Sequence, residues 1–228
     1  MRKRTLWLAG LLAAPALVAQ QSAPPHKPVD RGPSLVATMK FIQDKLNDQG
    51  RVGYVYTRSD LSAITFREYY EISGVTGDAA NCTLHKVETT TTKIEVAEGY
   101  NYNEGGQVVT GDDLLRQRVS TSTVHLRKIE NIQVEATQNR LTRNMAEDAH
   151  PEITFTVTPP VYSLTLVASK PVFSFQQSFT VGKAQAKTSD DSDKADTLTF
   201  RDEETANRLA KALTHAVELC GGGDKGPF

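Results

Sequence analysis

From residue 52 to residue 200 the apolar side chains recur at every second position, and no other feature constrains the fold of this chain as tightly. Val52, Tyr54 and Tyr56 alternate, and so do Ile64, Phe66, Tyr70 and Ile72, with Glu68 as the exception. Cys82, Leu84 and Lys86 share one face of a third run. Val124 and Leu126 end a strand, and after a break at 128–131 the pattern resumes with Ile132, Val134 and Ala136. Ile153, Phe155 and Val157 precede Pro159 and Pro160, and Tyr162, Leu164, Leu166 and Ala168 follow them. Phe173, Phe175, Phe179 and Val181 share a face across Gln177, and Leu198 and Phe200 close the series. An extended strand turns successive side chains to opposite faces, so this spacing makes strands with one buried face. The 25 threonines favour the same state. Thr89 to Thr92 reads as an edge strand. Eight or so short strands with polar breaks predict a mainly β fold, an antiparallel sandwich or barrel.

Helical spacing flanks this region on both sides. Leu35, Met39, Ile42 and Leu46 lie on one face of a 3.6-residue helix that Ser34 opens and Gly50 stops. Ala206, Leu209, Ala210, Leu213, Ala216, Val217 and Cys220 form a longer stripe. Asp202 can cap that helix, Glu203 and Glu204 suit its positive end, and Gly221 lies just beyond it. The expected domain is therefore residues 34–220, with an N-terminal helix and a C-terminal capping helix. Three polar segments read as loops: 97–118, 138–150 and 183–196, the second with a helical turn. Residues 221–228, GGGDKGPF, read as a flexible tail.

The start of the chain has the marks of an address. Arg2, Lys3 and Arg4 precede an apolar run from Leu6 to Val18, and Ala19 precedes a polar stretch. Residues 1–19 read as a secretory signal peptide, too short in its apolar part to span a bilayer comfortably. Residues 20–33 carry four prolines and read as a disordered linker. Loss of Arg2, Lys3 and Arg4 would leave 23 Lys and Arg against 27 Asp and Glu, a net charge of −4. With no Lys/Arg run interleaved with aromatics, that balance argues against a nucleic-acid partner. No later stretch is apolar enough for a transmembrane segment. The expected location is periplasmic or secreted. In such an oxidising compartment Cys82 and Cys220 are a natural disulfide pair, with two buried free thiols as the alternative.

An antiparallel sheet followed by FRDEETANRLAKALTHAVELC resembles a pleckstrin-homology-like barrel, in which the last helix plugs one open end. MKFIQDKLND at 39–48 and the segment from Arg201 to Gly223 also resemble secreted bacterial proteins of acidobacterial type. The resemblance covers residues 34–223. It implies a fold and a compartment, and it supplies no catalytic residues.

The chemistry-bearing residues do not assemble into a known motif. There is no G-x-S-x-G elbow and no phosphate-cradling glycine loop. His26, His85, His125, His150 and His215 have no metal-ligand spacing. Asp190, Asp191, Asp193 and Asp196 could chelate a hard cation, but the loop lacks the glycine and the bidentate Glu of a calcium loop, so a solvated charge run is the plainer reading. Neither a cofactor nor a metal is expected. The expected function is a non-catalytic interaction or scaffold module of the cell envelope with an envelope protein as partner. The alternative is a carrier of a small apolar or lipid ligand in the barrel interior. In that case Phe155, Phe173, Phe175 and Phe179 would line a cavity, where otherwise they fill the core.

Overall fold

The computed structural model describes residues 32–184 and 186–223. The expected signal peptide and nearly all of the expected linker lie outside them. Helix α1 (Leu35–Asp48) starts where the Ser34 hydroxyl accepts a hydrogen bond from the Ala37 amide, and it buries Met39, Ile42 and Leu46. Gly50 follows with φ +63, the left-handed region that ends helices. Helix α3 (Glu203–Leu219) starts where Asp202 accepts from the Thr205 amide at 2.7 Å. Its buried residues are Ala206, Leu209, Leu213, Ala216 and Val217. Both helices therefore form for the reasons their sequence patterns give.

The strands make two main antiparallel sheets. The large sheet has seven, in the order β11 (Lys187–Asp193), β10 (Phe173–Val181), β6 (Leu115–His125), β3 (Thr83–Val96), β2 (Ile64–Asp78), β1 (Val52–Arg58) and β8 (Phe155–Thr158). The small sheet has three, in the order β12 (Ala195–Phe200), β9 (Tyr162–Val167) and β7 (Asn131–Ala136). A separate hairpin pairs β4 (Tyr102–Glu104) with β5 (Gln107–Val109). The two main sheets do not close into a barrel, which corrects that expectation. Alternation fixes which face of a strand is buried, but which strands pair is a long-range property that a period of two leaves open.

The core lies between the large sheet, the small sheet and the two helices. It contains Leu84, Val124, Phe173, Leu164, Leu198 and Phe200 with the buried stripes of α1 and α3. A second, smaller cluster of Ile64, Phe66 and Ile94 sits at the other end of β2 and β3. Phe155 and Phe173 are buried, whereas Phe179 is 43% exposed.

Four local readings change. Thr89 to Thr92 lie inside β3, which pairs with β2 on one side and β6 on the other, so this tract is interior. Part of segment 97–118 is the β4–β5 hairpin and the start of β6, and 183–196 contains β11 and the start of β12. Segment 138–150 lies mostly within a true helix, α2 (Thr137–Glu147). The Gln138 and Thr142 side chains on α2 accept hydrogen bonds from the Val157 and Phe155 amides of β8. They thereby occupy donors that an edge strand would leave open. At the opposite edge β11 is exposed throughout and carries Asp190, Asp191 and Asp193, charges that oppose edge-to-edge pairing.

Cys82 and Cys220 are joined by a disulfide, with their Cα atoms 5.9 Å apart. Cys82 is not on a strand. It occupies the turn before β3 with φ +55, where the Asp78 carboxylate accepts from the Ala80 and Asn81 amides. Cys220 caps the C-terminal end of α3. The bond ties that helix end to the β2–β3 turn. The first three tail residues are held as well. The Gly222 amide donates to Val217 and the Gly223 amide to Ile129. A Cβ on Gly222 would stand 2.7 Å from the Leu126 carbonyl oxygen, so this close approach requires glycine.

The bridge closes a sequence separation of 138 residues, and its removal is expected to cost about 2–5 kcal/mol. Denaturant unfolding of the wild type with and without reductant should show that loss. The Cys82→Ser/Cys220→Ser variant should match the reduced protein and ignore reductant. Two titratable thiols in the unreduced, unfolded wild type would contradict the bond.

Candidate functional site

The inner face of the large sheet changes character along its strands. Because side chains alternate, the residues on this face can be read directly from the register. Leu84 of β3 pairs with Val124 of β6, and both are buried in the core. Next comes a polar belt, in which Lys86 pairs with Ser122, and Glu88 with Ser120. Gln177 of β10 pairs with Ser120. Thr90 then pairs with Arg118, and Thr92 with Arg116. Beyond these lies the second apolar cluster. The core covers one end of the face, and the polar remainder borders two cavities.

Burial is nearly complete at the belt. Lys86 is 3% exposed, Glu88 6% and Asp196 5%. The Lys86 ammonium contacts the Glu88 carboxylate and lies 3.1 Å from Asp196 Oδ1. Lys86 and Glu88 lie on β3 of the large sheet, and Asp196 on β12 of the small one. The ammonium thus joins the two sheets. Burial pulls the Lys86 pKa down while Asp196 pulls it up. Asp196 Oδ2 and Ser122 Oγ are buried and have no hydrogen-bond partner among the described residues. Asp196 therefore does not act with Asp190, Asp191 and Asp193 as a cation loop. Those three are exposed along β11, and among the described residues no group of three or more His, Cys, Asp or Glu is placed to hold a metal ion.

The first cavity, of about 330 Å³, is lined by Tyr56, Phe66, Glu68, Thr90, Thr92, Ile94, Arg116, Arg118 and Phe179. Tyr56 stacks on Phe66 with centroids 4.8 Å apart. The second, of about 340 Å³, is lined by Glu88, Arg118, Ser120, Arg140, Asn144, Phe175, Gln177, Asp193, Ala195, Asp196 and Thr197. Arg118 belongs to both. The three arginines differ in what holds them. Arg116 donates to both carboxylate oxygens of Glu104. Arg140 donates from Nε to Ser163 Oγ at 2.9 Å. Arg118 is exposed, and its side chain makes no hydrogen bond or ion pair among the described residues.

Glu68, the exception in the alternation of β2, faces the first cavity. It accepts a hydrogen bond from the Tyr54 hydroxyl at 2.5 Å. Burial raises its pKa above the usual carboxyl range, and Tyr54, Arg140 and Arg118 offset part of that. Burial also raises the Tyr54 and Tyr56 phenols, each further raised by Glu68. Of the residues singled out for chemistry in the sequence, Phe175, Phe179, Asp193 and Asp196 line these cavities, whereas the described histidines do not. His85 contacts Thr123, His215 contacts the Pro33 carbonyl, and His150 lies near Glu152. The cysteines are consumed by their bridge. The face itself escaped the sequence reading, although polar residues at inward strand positions were a usable signal.

No protein-family profile matches this chain, and no curated protein or solved structure matches it. Among the described residues no helix is long and apolar enough to cross a membrane.

A carboxyl whose pKa is higher in the folded than in the unfolded chain binds more protons when folded. Glu68 therefore lowers stability progressively as pH rises above the ordinary Glu range. Glu68→Gln keeps an acceptor for Tyr54 and removes the titration. Thermal unfolding should show the variant gaining on the wild type from about pH 4 to about pH 7, as the ordinary Glu range is passed. A difference that is constant with pH would show that Glu68 titrates normally.

Proposed function

We propose that this protein is a non-catalytic binding module of the cell envelope whose working surface is the polar half of the large sheet's inner face. One observation carries the reading: two adjoining cavities share an exposed, unpartnered arginine, with aromatic side chains on one side and a buried ionic belt on the other. A surface that leaves a cation free beside aromatic walls suits recognition of a partner molecule. The disulfide is compatible with export, as expected for a chain with signal-peptide features. Antiparallel strands followed by a packed last helix support kinship with the pleckstrin-homology-like architecture, in an opened form, and with secreted proteins of acidobacterial type. An apolar or lipid ligand, the alternative expectation, would have to lie on this half-open face.

Glu68 favours a second reading, general-acid chemistry, because a carboxyl with a raised pKa faces the first cavity. A Glu68→Gln variant that captures its partner as the wild type does supports the binding module.

Photo-crosslinking tests the proposal. Benzoyl-phenylalanine at position 179, on this face, should form adducts in bacterial cells that export the protein. The same group at Val36, which is 68% exposed on α1, should not. Equal adducts at both positions, or none at 179, would overturn it.

A further inference from the structure

Resting on that reading, we propose that the face binds an amphipathic monocarboxylate, its carboxylate on the Arg118 guanidinium and its apolar body against Phe66, Ile94 and Phe179. Arg118 pairs across the sheet with Thr90 and Phe179, which places its cation at the junction of the two cavities. Its planar donor fork matches the two oxygens of a carboxylate. Arg140 lines the second cavity with one nitrogen already given to Ser163, so its terminal nitrogens remain to assist.

Charge limits the ligand to a single negative group. Glu88 and Asp196 are engaged by Lys86, Arg116 is engaged by Glu104, and Tyr54 donates to Glu68. Arg118 and Arg140 thus face the open space with no carboxylate hydrogen-bonded to either guanidinium among the described residues. Glu68, Glu88 and Asp193 nonetheless line the same cavities and would repel a dianion or a polyanion. The walls require an apolar body. Phe66 and Ile94 are buried at the cavity base, whereas Phe179 is 43% exposed at its rim, apolar surface that a ligand would remove from water. An inorganic anion would leave that surface wet, and a neutral alcohol would leave Arg118 without a partner.

Titration calorimetry of the intact protein tests this with octanoate, octanol and inorganic phosphate. Octanoate should bind one to one. Octanol and phosphate should each bind at least about tenfold more weakly, the scale of one charged hydrogen-bonded pair. Arg118→Gln should weaken octanoate by a similar factor, and Arg118→Lys, which keeps the charge but loses the fork, should fall between. Arg118 is exposed and unpartnered, so both variants should unfold at the wild-type temperature. Thr92→Trp, which fills the first cavity, should also abolish octanoate binding. Octanoate that does not bind, octanol or phosphate that binds as tightly, or an Arg118→Gln protein with unchanged affinity would overturn the proposal. If crosslinking at position 179 survives such a result, the ligand class falls and the working surface stands. If crosslinking fails as well, both fall.

Discussion

A lysine ammonium buried between two carboxylates sets the terms for the rest of this molecule. Lys86 and Glu88 belong to the large sheet and Asp196 to the small one. Taking such charges out of water is costly, and each is tolerable only with its partners in place. The cluster therefore ties β12 of the small sheet to β3 of the large one through the Lys86–Asp196 pair. It also marks a boundary on the inner face. On one side lie the core and the two helices. On the other the face carries Thr90, Thr92, Arg116 and Arg118, and it borders the two cavities.

The disulfide acts at the far end of the covered half. It holds the end of α3 to the β2–β3 turn, while Gly222 and Gly223 lie against Leu126 and Ile129. Helix α1 packs beside α3 on the same core. The covered half is thus tied by covalent, ionic and apolar contacts. The open half is held by strand pairing, the small Ile64, Phe66 and Ile94 cluster and the Arg116–Glu104 pair. This asymmetry leaves the two cavities, and the recognition surface proposed for them, on the half that strand pairing holds.

Much of this was legible where the physics is local. The stripes of α1 and α3, their serine and aspartate caps and the alternation of β2, β9 and β10 all depend on residues close in sequence. Partner choice among strands does not, so the unclosed arrangement of the sheets was hidden. Strand β11 was hidden because KTSDDSD has no apolar period. Its pairing with β10 supplies the structure that its composition does not. Helix α2 was faint because only Leu141, Met145 and Ala146 are apolar in it. The candidate face was written in the sequence as interruptions. Glu68, Lys86, Glu88 and Gln177 stand at positions where alternation calls for apolar residues. An interruption at an inward position means either a paired buried charge or a surface kept open, and Lys86 and Arg118 are one of each. Pairing across three strands decides between them.

The central claim is that the Lys86 cluster joins the two sheets, and denaturant unfolding of two variants tests it most directly. Lys86→Met leaves Glu88 and Asp196 buried without their cation and should cost about 3–5 kcal/mol. Lys86→Met combined with Glu88→Leu and Asp196→Leu removes every charge in the cluster and should recover most of that loss. A single variant as stable as the wild type, or a triple variant no better than the single one, would contradict a buried ionic junction at this position.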